Sequence, residues 1–406
     1  MDETPPPDGA GRPGEVFAAF FRQGLTAFGG SAAHVGYFRR EFVERRAWLP
    51  EAAFADLLAL AQVTPGPASS ALAMGIGLRR AGAAGLAAAW IGFTMPAAAA
   101  MIGFALLLPT LDFGWADGVL HGLKLAAAAV VAQALVAMAR TLAAGPIRGG
   151  MAVGAAAGLV VAHGPVAQIL ALSAGAVFGL FFLQAHAADA PDDPAARRAP
   201  PELAIAALAV FVLALGVLPF LAQWLDDPTV GLASAVYRSG ALAFADGQGL
   251  LPMLNAEVMG RGWLDRDVFL AGYGAAQALP GPPVAFAGFV GAAQAVAPGG
   301  WTGGVVAVLA ASAPGALLVL GLSPFWDALK RRPAALGALA GVNAVVVGLL
   351  GAALWNPVLA GAIERPSDWL LAAGAFVFLA VAKLPPWLVV VGFAAAVGLF
   401  HPPVSL

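Results

Sequence analysis

The sequence has no cysteine. Disulfides, thiolate metal sites, iron–sulfur clusters and cysteine nucleophiles are therefore excluded. Charge is scarce too. Asp, Glu, Lys and Arg make up 11% of the 406 residues, against about a quarter in an ordinary soluble domain. That deficit, joined to a high apolar content, excludes a soluble enzyme and a disordered scaffold. The net charge is -2, so no basic surface offers itself to nucleic acid. The sequence also lacks a Walker A pattern, a His-Glu-x-x-His and a Gly-x-Ser-x-Gly. Nothing here reads as an enzyme, and no cofactor or metal is implied.

What is there is apolar. Hydrophobic residues are 60% of the chain, and the mean hydropathy is +0.84. Stretches without Asp, Glu, Lys or Arg run 57–78, 81–111, 149–188, 203–225, 268–326, 333–363 and 384–406. A spanning helix needs roughly 20 such residues. The expectation is an all-α polytopic membrane protein with the lipid bilayer as its constant partner. Residues 1–14 have no apolar run and read as a disordered cytoplasmic tail. The polar stretch 186–201 reads as a cytoplasmic linker. It separates an N-terminal repeat over 15–185 from a topology-inverting helix over 202–228 and a C-terminal repeat over 229–406.

The two halves are related. Trp48-Leu49, Phe54, Gln62 and Pro65-Gly66-Pro67 return at one constant offset as Trp263-Leu264, Phe269, Gln277 and Pro280-Gly281-Pro282. One residue further along, Phe28 and Glu41 pair with Phe244 and Glu257. Nine crossings are expected: 83–108, 118–140, 149–163, 166–185, 203–225, 301–322, 333–353, 368–382 and 384–400. The stretches 15–80 and 230–300 are expected to dip in and return. With the N-terminus cytoplasmic, most Lys and Arg fall on cytoplasmic segments. Loop 109–117 carries Asp112 and Asp117 and no base. Its repeat partner around 327–332 carries Lys330, Arg331 and Arg332. Opposite bias in equivalent loops implies an inverted-topology repeat, an architecture common among transporters.

Each half holds a discontinuous or re-entrant helix pair broken at Pro-Gly-Pro. The segments flanking Pro65-Gly66-Pro67 are each only about 20 Å of helix, too short for a ~30 Å core. Paired breaks at corresponding positions point to a transport site. Gly66 suits an N-cap and Pro67 the first helical position. Ser69 and Ser70 follow in the first turn. Free N–H groups, the positive end of the helix dipole and two hydroxyls would together favour an oxyanion. Copy two offers Gly281-Pro282-Pro283 and no hydroxyl, so the site should lean on copy one. The alternative is that both breaks are kinks in packed helices.

The candidate substrate-binding set is Gly29, Gly30, Ser31, His34, Gln62, Pro65, Gly66, Pro67, Ser69, Ser70, Gln277, Pro280, Gly281 and Pro282. Arg39, Arg40 and Lys124 are candidates for anion attraction, against positive-inside anchoring and snorkelling. Glu41 and Glu257, at equivalent positions, and Asp56, a charge in apolar surroundings, are proton-coupling candidates. Pairing with a neighbouring Arg is the alternative for the two glutamates. His34 could titrate near neutral pH, or serve as a hydrogen-bonding loop residue.

These residues resemble a known family. Phe28-Gly29-Gly30 with His34, Gly36-Tyr37-Phe38-Arg39-Arg40-Glu41-Phe42-Val43, Trp48-Leu49, Pro65-Gly66-Pro67-Ala68-Ser69-Ser70 and Ile76-Gly77-Leu78-Arg79-Arg80-Ala81-Gly82 are similar to the chromate ion transporter (CHR) family. So is Gly272-Tyr273-Gly274-Ala275-Ala276-Gln277-Ala278-Leu279-Pro280-Gly281-Pro282 in copy two. The likeness is to its long-chain, two-domain members. It implies secondary efflux of chromate across the bacterial inner membrane, driven by the proton-motive force and giving chromate resistance. It also implies site roles for Gly29, Gly30, His34, Pro65, Gly66, Pro67, Ser69 and Ser70. Three departures stand out. The familiar Gly-Gly-Pro reads Gly29-Gly30-Ser31. Ala71 replaces an expected Gln. Phe244-Ala245-Asp246-Gly247-Gln248-Gly249 replaces a glycine run. Sulfate or another oxyanion is the alternative substrate. A gated anion channel and a non-transporting membrane assembly protein are the alternatives of another class. A homodimer is left open.

Overall fold

The computed structural model describes residues 11–110, 116–162, 164–183, 199–296 and 298–400. The expected tail over 1–14 and linker over 186–201 lie mostly outside the described residues, as does Asp112. Among the described residues the regular structure is helical throughout. Copy one holds α1 (Pro13–Thr26), α2 (Gly30–Phe38), α3 (Glu51–Val63), α4 (Ala68–Leu107), α5 (Ala116–Thr141), α6 (Pro146–Val161) and α7 (Pro165–Phe182). After α8 (Pro201–Leu225), copy two holds α9 (Pro228–Ala241), α10 (Leu250–Met259), α11 (Arg266–Gln277), α12 (Phe286–Ala293) and α13 (Gly300–Leu322). It continues with the short α14 (Trp326–Lys330), α15 (Pro333–Ala353), the one-turn α16 (Ala360–Ala362), α17 (Pro366–Ala380) and α18 (Pro386–Phe400).

Local chemistry sets many of these starts. A proline occupies the first turn of α1, α6, α7, α8, α9, α15 and α17, where its missing N–H costs nothing and its fixed φ suits the helix. Asp227 caps α9 through the Val230 N–H, and Asp265 caps α11 through the Asp267 N–H. α4 is two helices in one. Ala81 and Gly82 leave the helical region, Gly82 at φ 66°. The chain folds back there, so that Gly77 and Gly85 touch backbone to backbone. A Cβ on Gly77 would lie 2.3 Å from the Gly85 carbonyl oxygen. The same crossing joins α12 to α13, where a Cβ on Gly291 would lie 2.2 Å from the Gly303 oxygen.

Copy two repeats copy one: α9, α10 and α11 match α1, α2 and α3, α12 and α13 match the two parts of α4, α15, α17 and α18 match α5, α6 and α7, and α8 and the short α14 and α16 are left over. Gly24 of α1 packs on the carbonyls of Gly92 and Phe93 in α4, and Gly240 of α9 packs on the Ala311 carbonyl in α13. The breaks repeat as well. Leu57 of α3 lies against Gly75 of α4, so the two short helices around Pro65-Gly66-Pro67 run antiparallel. At the corresponding crossing, Gly272 of α11 receives Phe289 of α12.

The outer helices are exchanged between copies. α5 of copy one packs on α17 and α18 of copy two, and α15 of copy two packs on α6 and α7 of copy one. Both seams are built of small residues. Gly118 and Gly122 meet Gly398 and Ala394, and Gly175 and Gly179 meet Gly341 and Gly337. Without a hydrophobic driving force in lipid, close backbone approach of this kind supplies the attraction.

Among the described residues, six helical stretches are long and apolar enough to cross a membrane: Ala68–Thr110, counted across the fold-back at Gly82, Ala116–Thr141, Pro165–Phe182, Pro201–Leu225, Gly300–Leu322 and Pro333–Ala362. They coincide with six of the nine expected crossings. The other three fall on the shorter helices Pro146–Val161, Pro366–Ala380 and Pro386–Leu399. The outer surface is apolar, with Val153, Leu170, Phe181, Leu213, Phe220, Trp224 and Leu370 all exposed. The chain is a multi-pass membrane protein.

The small-residue seam generates a prediction. A Cβ on Gly341 would lie 2.0 Å from the Gly175 carbonyl oxygen, whereas one on Gly154 meets open space. Gly341→Val should lower the melting temperature in detergent, at a cost of about 1–3 kcal/mol. Gly154→Val should leave it unchanged.

Candidate functional site

The two Pro-Gly-Pro breaks meet the opposite copy in the same way. Gly66, at φ 97°, donates its N–H to the carbonyl of Ala243 at 2.8 Å. Gly281, at φ 99°, donates its N–H to the carbonyl of Ala27 at 3.0 Å. Ala27 and Ala243 are themselves equivalent in the repeat, each just beyond the end of the first helix of its copy. Each break thus places its left-handed glycine against the other copy's first turn. Non-helical backbone inside such a protein must find partners in protein, and these bonds supply them.

At the copy-one break the half-helix N-terminus is covered from copy two. The Ala68 N–H donates to Asp246 Oδ1 at 2.8 Å. Gly247 packs directly on Pro67. Ser31 and Ser69 pair through their hydroxyls at 3.1 Å. Ser70 Oγ is buried without a partner, and so is Ser312 Oγ from α13. Both line one cavity with Pro65, Gly66, Pro67 and Gly315, with room for about one water. A second cavity, of about 60 Å³, is lined by Gly30, Ser31, Gln248, Tyr273, Gln277 and Pro283, among others. Copy two offers fewer donors, because Pro282 and Pro283 carry no N–H.

The sequence-predicted residues divide into two groups. Gly30, Ser31, Pro65, Gly66, Pro67, Ser69, Ser70 and Gln277 converge on the breaks and their cavities. Gly29, at φ 103°, makes the turn into α2. Pro280, Gly281 and Pro282 form the second break. Gln62, the counterpart of Gln277, is exposed at the end of α3. His34 lines neither cavity. Its ring is fully buried, edge-on to Phe93, and its Nε2 lies 3.0 Å from the Ala27 carbonyl oxygen. With Nε2 protonated, that oxygen accepts from both His34 and Gly281.

The predicted charged residues lie elsewhere, all engaged. Arg39 donates to Glu44 and Glu51, and Arg40 stacks over the Tyr37 ring. Glu41 accepts from Arg45 and Arg46, and Glu257 from Nε and Nη2 of Arg238. Asp56 is buried and accepts from Lys330 and from the Trp326 indole. Lys124 is buried against Glu364 at 2.5 Å and Asp267 at 3.2 Å. Hydrogen bonds from Arg45, and then from Arg46, pull the Glu41 carboxyl down to about 2, against burial, which pushes it up.

Asp246, Ser312 and Tyr273 are the site residues that sequence reasoning missed. Asp246 had a signal. It occupies the copy-two position of Gly30, within the run that departs from the glycine pattern.

A family model described as "Chromate transporter" matches residues 14–180 and 230–399. The "Chromate transport protein" of Pseudomonas aeruginosa is 30% identical, over 92% of this chain and 87% of its own length. The "Probable chromate transport protein" of Synechococcus elongatus is 28% identical, over 93% of each chain. The "Chromate transport protein" of Cupriavidus metallidurans is 26% identical, over 94% of this chain and 91% of its own. No solved structure matches the chain.

Two predictions follow from this geometry. Gly66→Ala meets strain alone, since its Cβ would find open space, whereas a Cβ on Gly281 would also press on Ala97 at 3.0 Å. Both should destabilise, by about 1–2 kcal/mol for the left-handed conformation, and Gly281→Ala should lower the melting temperature further. For Glu41, a depressed folded value means stabilisation that is present above the usual carboxylate range and lost as pH falls toward about 2. Glu41→Gln should therefore lower the melting temperature at pH ~7, and its deficit against wild type should close through that acid window.

Proposed function

The chain belongs to the chromate transporter family, and from that premise we propose that it carries chromate across the membrane as a secondary transporter. The observation that carries this reading is the pair of reciprocally bonded breaks, with a backbone N–H and several hydroxyls gathered at one of them. Chromate is a tetrahedral dianion, and donors at a helix N-terminus suit it. The two antiparallel hairpins are read as re-entrant, each entering from one side and returning to it. The halves then lie in opposite orientations, and the odd helix α8 inverts copy two.

Direction and energy source belong to the same proposal. The chain exports chromate from the cytoplasm across the bacterial inner membrane, drawing on the proton-motive force, with its N-terminus cytoplasmic. The arginines at 39, 40, 45, 46, 79 and 80 support that orientation. The cavity beside the copy-one break has room for about one water. An oxyanion therefore enters only when the hairpins part. Breaking the Gly66–Ala243 bond opens one break while Gly281–Ala27 holds the other, which is the asymmetry alternating access requires. Sulfate shares the charge and shape of chromate and is the second reading.

Chromate flux in proteoliposomes, with and without an imposed pH gradient and with excess sulfate, tests this. Flux that rises with the gradient and resists sulfate is expected. Flux abolished by sulfate would make sulfate the substrate, and flux indifferent to the pH gradient would indicate a channel. No flux from folded protein would end the transport reading. Ser69→Ala with Ser70→Ala should weaken chromate binding by roughly thirtyfold, at ~1 kcal/mol for each of two lost hydrogen bonds. Arg79→Ala should weaken it less. Equal losses would count against the half-helix site.

A further inference from the structure

The turn between α9 and α10 holds a carboxylate that the transport reading does not use. Asp246 stands at φ 58°, between Ala245 at 56° and Gly247 at 77°. Outside glycine this conformation costs roughly 1–2 kcal/mol, least for Asn and Asp. The equivalent residue in copy one is Gly30, so copy two alone projects a side chain from this position. That side chain reaches the copy-one half-helix. Its Oδ1 accepts the Ala68 N–H at 2.8 Å. The Ser31 hydroxyl lies near the carboxyl group, and Ser69 Oγ lies 3.1 Å from Ser31 Oγ. A carboxyl group already sits on the half-helix N–H that the oxyanion would need.

Two further features show that the match is incomplete. Ser70 Oγ and Ser312 Oγ are buried beside the same break with no partner. A planar carboxylate leaves them unmet, while a tetrahedral oxyanion offers four oxygens. The donor described for Asp246, the Ala68 N–H, is also neutral, and no ion pair of Asp246 is described. The titratable groups on the surrounding elements are otherwise placed. His34 on α2 bonds the Ala27 carbonyl. Arg238 on α9 pairs with Glu257 on α10, and Asp56 on α3 with Lys330. Tyr273 on α11 lines the neighbouring cavity.

We propose that Asp246 is a tethered competitor for the oxyanion site: ionised, it fills the half-helix N-terminus, and its protonation or displacement frees that site for the substrate. The inference rests on the transport reading. By linkage, a proton on Asp246 strengthens oxyanion binding, and a bound oxyanion raises the affinity of Asp246 for the proton. The linkage concerns binding alone; the direction of the cycle is set by the flux experiment.

A plain structural cap is the competing account, and asparagine separates the two. Asn caps a helix as well as Asp and tolerates the left-handed turn, but carries no charge. The test is equilibrium dialysis of radiolabelled chromate and of sulfate against the purified full chain in lipid nanodiscs. Sulfate stays a dianion across the pH range used, so its pH dependence reports the protein. Asp246→Asn should bind chromate at least tenfold more tightly than wild type at pH ~8, the loss of about 1.4 kcal/mol of competition. Wild-type affinity for sulfate should rise as pH falls, and that of Asp246→Asn should stay flat. Asp246→Gly, which copies Gly30, should behave like Asn. Asp246→Glu should retain the pH dependence. Chromate binding of equal strength in wild type and Asp246→Asn overturns the competitor and leaves transport standing. No binding of either anion by either protein overturns both.

Discussion

The fold turns on two backbone hydrogen bonds, Gly66 N–H to Ala243 and Gly281 N–H to Ala27. A broken helix inside a membrane protein exposes polar backbone that lipid cannot satisfy. Here each copy satisfies the break of the other. Neither half can complete its own break, so the two copies must fold against each other. His34 adds to the same constraint by placing a second donor on the Ala27 oxygen. Its burial among phenylalanines makes it a brace for the junction.

The exchange of outer helices extends this dependence outward. α5 lies among copy-two helices and α15 among copy-one helices, along seams where glycine lets backbones touch. Such seams are close-packed and leave little slack. The core around the breaks is looser in one respect. It holds buried hydroxyls with no partner, in the region where the two copies meet. A rigid frame around an unsatisfied centre is the arrangement expected when the centre must accept a guest.

Much of this was legible in the sequence. The constant offset from Trp48 to Pro67 showed the repeat, and the doubled Pro-Gly-Pro showed the breaks, because both are local patterns. The flat composition of the apolar runs located most of the long helices. Pairings between distant turns were not legible. Nothing in the sequence says that the Gly66 N–H meets the Ala243 carbonyl, since backbone groups carry no residue label. The charged candidates drew attention by their rarity, yet Arg39, Arg40, Lys124, Glu41, Glu257 and Asp56 sit in ion pairs or on an aromatic ring away from the breaks. The Glu41 pair with Arg45 has helical spacing and could have been foreseen. Asp246 was visible as a departure from glycine, but its reach across to Ala68 needed the fold.

The pair of hairpin crossings carries a consequence for the gene. In copy one a large residue on the first helix, Leu57, fits a small one on the second, Gly75. In copy two the sizes are reversed, Gly272 against Phe289. Unequal recombination between the two related halves would splice the first hairpin helix of one to the second of the other. One product would set Leu57 against Phe289, and the reciprocal product would set Gly75 against Gly272 and leave a void. The duplicated halves have thus diverged into parts that no longer interchange, which protects the asymmetry of the site from being erased.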